Sequence, residues 1–212
     1  MSNFEHIRVE RDLAILWITI NRPQALNALN PLAHRELSAA LDSFAADTAL
    51  RVAVITGAGE RAFCVGSDLK ARAAANADDH PPTGFGGISH RFDLAKPVIA
   101  AVNGLALGGG VEIIAACDLA VAADHAEFAL PEPRVGLAAL GGGGLQRLAR
   151  TLPLKYAMEL VLSGRLFGIE AAAGSANRAT CKISRGRAHA CERRRQGRPA
   201  CVRRKAKSPL AG

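Results

Sequence analysis

Two carboxylates in unusual surroundings raise the question of chemistry in this chain. Glu112 follows three glycines in LGGGVE (107–112) and precedes the apolar run IIAAC. Glycines weaken a helix, but they let a ligand approach the backbone and leave the N–H groups at a helix start uncovered. Those N–H groups, with the helix dipole behind them, stabilise an anion such as a phosphate or a developing enolate oxygen. A carboxylate in the first turn beside such a site is placed as a general base next to its reaction. Taken alone, the stretch also reads as a strand-helix turn in which Glu112 only caps the helix.

Glu132 is the second acid. It lies in LPEPRVG between Pro131 and Pro133, directly after the apolar stretch EFAL. A proline on each side restricts the backbone and aims one side chain from a strand end. By itself, a Glu in a surface turn carries no meaning. GSDL at 66–69 supplies a second glycine followed by a helix start, and with it a further backbone N–H. Two N–H donors and two carboxylates are the set that acid-base work on a thioester requires.

The elements that must position these groups alternate. LAILWITI (13–20) reads as a strand, and NRP (21–23) turns the chain. Asn30-Pro31 reads as a cap and first helical residue, with Leu37, Leu41 and Phe44 at helical spacing behind it. VAVITG (52–57) is a strand, AFCVG (62–66) a short extended piece, and Asp68 begins a short helix through DLKARAAA. Residues 76–90, NADDHPPTGFGGISH, have the Pro and Gly of a mobile loop. Then come strand PVIAAV, a glycine turn, helix VEIIAAC, strands LAVAAD and EFAL, four glycines, and the helices LQRLARTL and LKYAMELVLSG. The alternation predicts an α/β domain with mainly parallel strands.

One motif points elsewhere. GAGERA (57–62) follows a strand and matches the dinucleotide fingerprint, with Asp78 and Asp79 about twenty residues on. The fingerprint needs a helix that starts inside the glycines, whereas Phe63, Cys64 and Val65 continue as an extended apolar run. A tight turn between strands fits better than a cofactor loop.

The bulk numbers bound the rest. A chain of 212 residues with 49% hydrophobic content suits one domain with a real core. The N-terminus lacks the apolar region of a secretory signal, and the most apolar stretch is broken by Asn103, glycines and Glu112. Five cysteines without a Cys-x-x-Cys pair suit neither a disulfide framework nor a zinc site. A reducing, cytoplasmic setting is the expectation. The net charge of +8 suggests nucleic acid, but its distribution does not. Residues 1–170 hold 15 Lys+Arg against 18 Asp+Glu, while residues 171–212 hold 12 against the single Glu192.

The four segments AFCVGSDLK, NGLALGGGVE, FALPEPRVG and NRPQALNAL, in their order and spacing, resemble the enoyl-CoA hydratase family, the crotonases. The resemblance covers roughly residues 4–170. It implies a crotonase-like spiral of β-β-α units, altered after about residue 170. It implies that the backbone N–H groups of Ser67 and Gly109 hold a thioester carbonyl oxygen, that Glu112 activates water and that Glu132 exchanges the α proton. Substrate-binding roles fall by the same resemblance on Ala25, Leu26, Gly66, Asp68, Leu69, Lys70 and Gly108, the first two lining a coenzyme A groove. The family usually has alanine where Ser67 stands; a backbone donor survives that change. The implied reaction is hydration of a 2-enoyl-CoA, or the reverse dehydration, with no metal or other cofactor, coenzyme A being part of the substrate. The glutamate pair favours this over isomerisation, and PPTGFGGISHRFDLAKP is similar to the carnitinyl-CoA dehydratase branch. A homotrimer or hexamer, with neither membrane nor nucleic acid as partner, is implied as well.

The family pattern holds through LSGRLFGIEAA and then gives way. Residues 171–212 have no aromatic residue and no amphipathic period, and are rich in Arg, Ala, Gly and Cys. That is the composition of a GC-rich gene read out of frame, so a disordered, frameshift-derived tail is expected there, and a truncated, catalytically compromised crotonase is the alternative to an active enzyme. A basic arm that binds nucleic acid through phosphates is the rival reading.

Overall fold

The computed structural model describes residues 4–75, 80–138, 141–169 and 182–183. Strand β2 (Ile15–Ile20) buries Leu16, Ile18 and Ile20 on one face, the alternation its sequence dictates. It pairs antiparallel with β1 (Ile7–Asp12) and parallel with β3 (Val52–Gly57). The sheet continues in parallel through β5 (Val98–Val102), β7 (Leu119–Ala123) and β10 (Lys182–Ile183). A second sheet holds β4 (Ala62–Cys64), β6 (Leu105–Leu107) and β8 (Glu127–Ala129) in parallel, with β9 (Phe167–Gly168) antiparallel at its edge.

Each long strand therefore feeds a short one in the other sheet: β3 into β4, β5 into β6, β7 into β8. Helix α2 (Leu69–Ala75) follows the first pair and α3 (Gly109–Ala116) the second, while a 3-10 turn at Glu132–Val135 follows the third. This repeat is the expected spiral of β-β-α units. It also stacks the ends of β4, β6 and β8 side by side, so that the three candidate segments emerge next to one another. Helices α4 (Gly144–Thr151) and α5 (Leu154–Ser163) close this side of the described structure.

Helix α1 (Pro31–Ala46) starts where the sequence places it. The Asn30 side chain accepts the Ala33 N–H at 2.9 Å, and Pro31 needs no acceptor at the first position. Its Leu37, Leu41 and Phe44 are wholly buried in the core shared with β1 and β2. GAGERA forms the turn between β3 and β4. Its backbone is satisfied by two amide side chains: Asn103 accepts the Gly57 N–H at 3.1 Å and donates to the carbonyls of Gly57 and Gly59, and Asn27 donates to those of Ala58 and Ala62.

Three expectations need correction. Strands β1 and β6 were not legible, β1 because it is an edge strand whose residues beyond Ile7 are charged or only partly buried, β6 because it has three residues. Helix α3 begins at Gly109, two residues before the expected start at Val111. The segment expected to be a mobile loop is buried over residues 84–89, with Phe85, Ile88 and Ser89 at 3%, 4% and 0% exposure, because it packs beneath α1. Among its other residues, 76–79 lie outside the described part, as does the expected disorder of 171–212 apart from Lys182–Ile183. Among the described residues no helix is long and apolar enough to cross a membrane. Replacing Asn30 with Ala is expected to cost about 1 kcal/mol, read as a lowered midpoint in chemical denaturation.

Candidate active site

The two glycine segments meet edge to edge. Gly66 adopts φ +89°, and a Cβ there would lie 3.1 Å from the Gly109 nitrogen and from the Leu107 carbonyl oxygen. At Gly110 a Cβ would lie 2.0 Å from the Cys64 carbonyl oxygen. Contacts that short are closed to any other residue, so the glycines of LGGGVE are there to let α3 press against β4. On the other flank, Leu29 donates its N–H to the Gly66 carbonyl and accepts that of Asp68, both at 2.8 Å. Ser67 is held between these bonds. Among the described residues, no acceptor takes the N–H of Ser67 or of Gly109. Both residues line one cavity of about 290 Å3.

Glu112 lies in the same wall, 4% exposed, in the first turn of α3. Its Oε1 accepts the Gly144 N–H at 3.0 Å, so it sits at the start of α4 as well as of α3, where helix dipoles favour a carboxylate. Gly142 packs directly on the carboxylate; a Cβ there would come within 2.4 Å of Oε2. Arg147 of α4 fixes this glycine run by donating to the Gly142 carbonyl at 2.9 Å, and its other nitrogen donates to the Ser89 carbonyl.

Glu132 opens the 3-10 turn after β8 and crosses the cavity toward Gly108, whose φ is +50° and where a Cβ would stand 2.8 Å from Oε1. Its Oε2 is enclosed and has no hydrogen-bond partner. Burial, and then the negative charge of Glu112, hold this carboxyl above the ordinary glutamate range. One acid is thus solvated by a backbone N–H, and the other is left short of partners and keeps its proton to higher pH.

Of the residues given substrate-binding roles, Gly66, Leu69 and Gly108 line the cavity. Ala25, Leu26, Asp68 and Lys70 lie outside its walls. Ala25 and Leu26 form a turn after β2, and Lys70 is exposed. Asp68 is tied to Arg22 at 2.8 Å and accepts the Ala71 N–H at the start of α2; the Arg22 bond holds its carboxyl below the usual range. Sequence reasoning missed the aromatic wall. The Phe85 ring covers Gly109, and His34 and His80 meet it edge to face, centroids 4.6 and 5.5 Å away. His34 accepts the Gly86 N–H through Nδ1 at 2.9 Å, and burial, then His80 and Arg35, lower its pKa to about 3. It missed Gly142 and Gly144 as well; the four-glycine run before α4 was the available signal.

The family model described as enoyl-CoA hydratase/isomerase matches residues 10–175. The chain belongs to the enoyl-CoA hydratase/isomerase family. A carnitinyl-CoA dehydratase of Salmonella arizonae is 46% identical over 170 residues, and so is one from Escherichia coli K12; each alignment covers 79% of this chain and 64% of the relative. The chain therefore spans under two thirds of the length of these curated relatives. Among solved structures of the family, the enoyl-CoA hydratase of Mycobacterium tuberculosis H37Rv superposes with a TM-score of 0.77 at 42% identity, covering 84% of this chain and 69% of that one. The carnitinyl-CoA hydratase of Mycobacterium avium gives 0.79 at 41%, covering 85% and 69%. The likeness joins this chain's glycine-paired donors to a family fold.

The raised carboxyl of Glu132 has a consequence for stability. Between the ordinary glutamate value of 4.5 and its raised value, the folded chain binds a proton that the unfolded chain has released, so stability falls as pH rises through that window. Glu132→Gln is expected to flatten the fall in melting temperature above about pH 4.5, checked by thermal melts across a pH series. Gly110→Ala is expected to lower stability by about 2 kcal/mol or more in equilibrium unfolding, since neither β4 nor α3 can yield at 2.0 Å.

Proposed function

We propose that this chain adds water across the double bond of 2-enoyl-CoA thioesters and catalyses the reverse dehydration of 3-hydroxyacyl-CoA. The observation that carries this is the meeting, in one cavity, of two acceptor-free N–H groups with two glutamates in opposite environments. The thioester oxygen accepts from Ser67 and Gly109. Glu112 takes a proton from water as the water oxygen bonds to C3, and the electron pair of the double bond moves toward the carbonyl, where the enolate charge meets both donors. Glu132, which keeps its proton to higher pH, delivers it to C2. The product gains one water in all, and proton exchange between the two carboxyls and solvent resets the pair. The thioester itself makes C2 acidic, so the step as drawn needs no metal or redox group. Each backbone donor of this kind is worth about 3 kcal/mol in the transition state.

Hydration is favoured over isomerisation because both acids face the cavity. Dehydration of a carnitinyl-CoA is the second reading, supported by relatives of that name at 46% identity. A homotrimeric or hexameric assembly in the cytoplasm completes the proposal.

The test is the loss of enoyl-thioester absorbance with but-2-enoyl-CoA. Saturable hydration is expected, with kcat reduced roughly 100-fold or more in Glu112→Gln and in Glu132→Gln. The hydration rate is expected to fall as pH rises through the raised pKa of Glu132, and the dehydration rate to rise through the same pKa. Equal rates in parent and variants would overturn the assignment.

A further inference from the structure

Four buried side-chain nitrogen or oxygen atoms among the described residues have no hydrogen-bond partner: Arg22 Nε, His80 Nδ1, Ser89 Oγ and Glu132 Oε2. Two of the four residues, Glu132 and His80, line the same cavity. A buried polar atom without a partner costs about 1–3 kcal/mol, and structures keep few of them without a reason. The reaction proposed above accounts for Glu132. It does not account for His80.

The Phe85 ring covers Gly109, one of the two donors assigned to the thioester oxygen, and His80 meets that ring edge to face at 5.5 Å between centroids. A thioester whose oxygen rests on Ser67 and Gly109 must extend its acyl chain past the glutamates and toward the rest of the wall. That wall is apolar at Leu69, Phe85, Val135 and Leu137. Among the described lining residues, His80 is the one polar side chain apart from Ser67 and the glutamate pair. A plain alkyl chain would leave Nδ1 unsatisfied in the complex, as it is in the free protein.

We infer that His80 selects acyl chains carrying a hydroxyl beyond C3. This rests on the hydratase reading of the site. A hydroxyl both donates and accepts, so it can pair with Nδ1 whichever role that nitrogen takes. A carboxylate would lie close to Glu112 and Glu132 and be repelled. The two rings that meet His80, Phe85 and His34, carry no charge, His34 because its pKa is lowered to about 3.

The experiment compares kcat/KM of the full chain for but-2-enoyl-CoA against 4-hydroxybut-2-enoyl-CoA, and for pent-2-enoyl-CoA against 5-hydroxypent-2-enoyl-CoA. One hydrogen bond to a formerly unpaired group predicts a preference of roughly tenfold for the hydroxylated member of at least one pair. His80→Phe is expected to bring that ratio to about one, and His80→Gln, which keeps a polar group there, to retain part of it. The same comparison is made by calorimetric binding of butanoyl-CoA and 4-hydroxybutanoyl-CoA, which cannot react. If no thioester turns over, the hydratase reading fails while the binding ratio still reports on His80. A ratio near one in the parent by both measurements, or an equal ratio in His80→Phe, overturns the inference.

Discussion

The site depends on one close approach of backbone to backbone. Gly66 lies against Gly109, and Gly110 against the Cys64 carbonyl, at distances that leave no room for a side chain. This contact sets how far apart the N–H groups of Ser67 and Gly109 stand. It needs β4 and β6 to be neighbours in one parallel sheet, which in turn needs each long strand to be followed by a short one in the second layer. The spiral is thus a means of bringing two chain segments about forty residues apart within van der Waals reach.

Upon that frame stand two like side chains in unlike surroundings. Glu112 has a backbone donor and two helix starts around it; Glu132 has burial, a neighbouring negative charge and an oxygen with no partner. Those surroundings hold the Glu132 carboxyl above the ordinary glutamate range. Position along the chain explains the difference. Glu112 lies within the first turn of α3, while Glu132 is fixed between two prolines at the end of a strand.

Much of this was legible in the sequence because it is written in local terms. An apolar alternation defines β2, Asn-Pro defines the start of α1, and glycine followed by an acid defines the turn into α3. GAGERA was rightly read as a turn, since an extended run follows it where a helix was required. What escaped was set by packing between distant segments. Phe85 sits among glycines and prolines that look like a free loop, and its burial comes from α1 and α3, fixed elsewhere in the chain. β1 reads as polar because only one edge residue reaches the core. The four-glycine run marks Gly142 as a place of close approach, but only the packing of α4 on α3 brings the carboxylate thirty residues earlier to rest on it.

Arg147 ties two of those distant pieces together. One guanidinium holds both the Ser89 carbonyl, at the end of the segment that puts Phe85 over Gly109, and the Gly142 carbonyl, in the run that supports Glu112. The ring over Gly109 and the glycine support of Glu112 thus share one guanidinium, a tie across the cavity that runs between two segments about fifty residues apart in the chain.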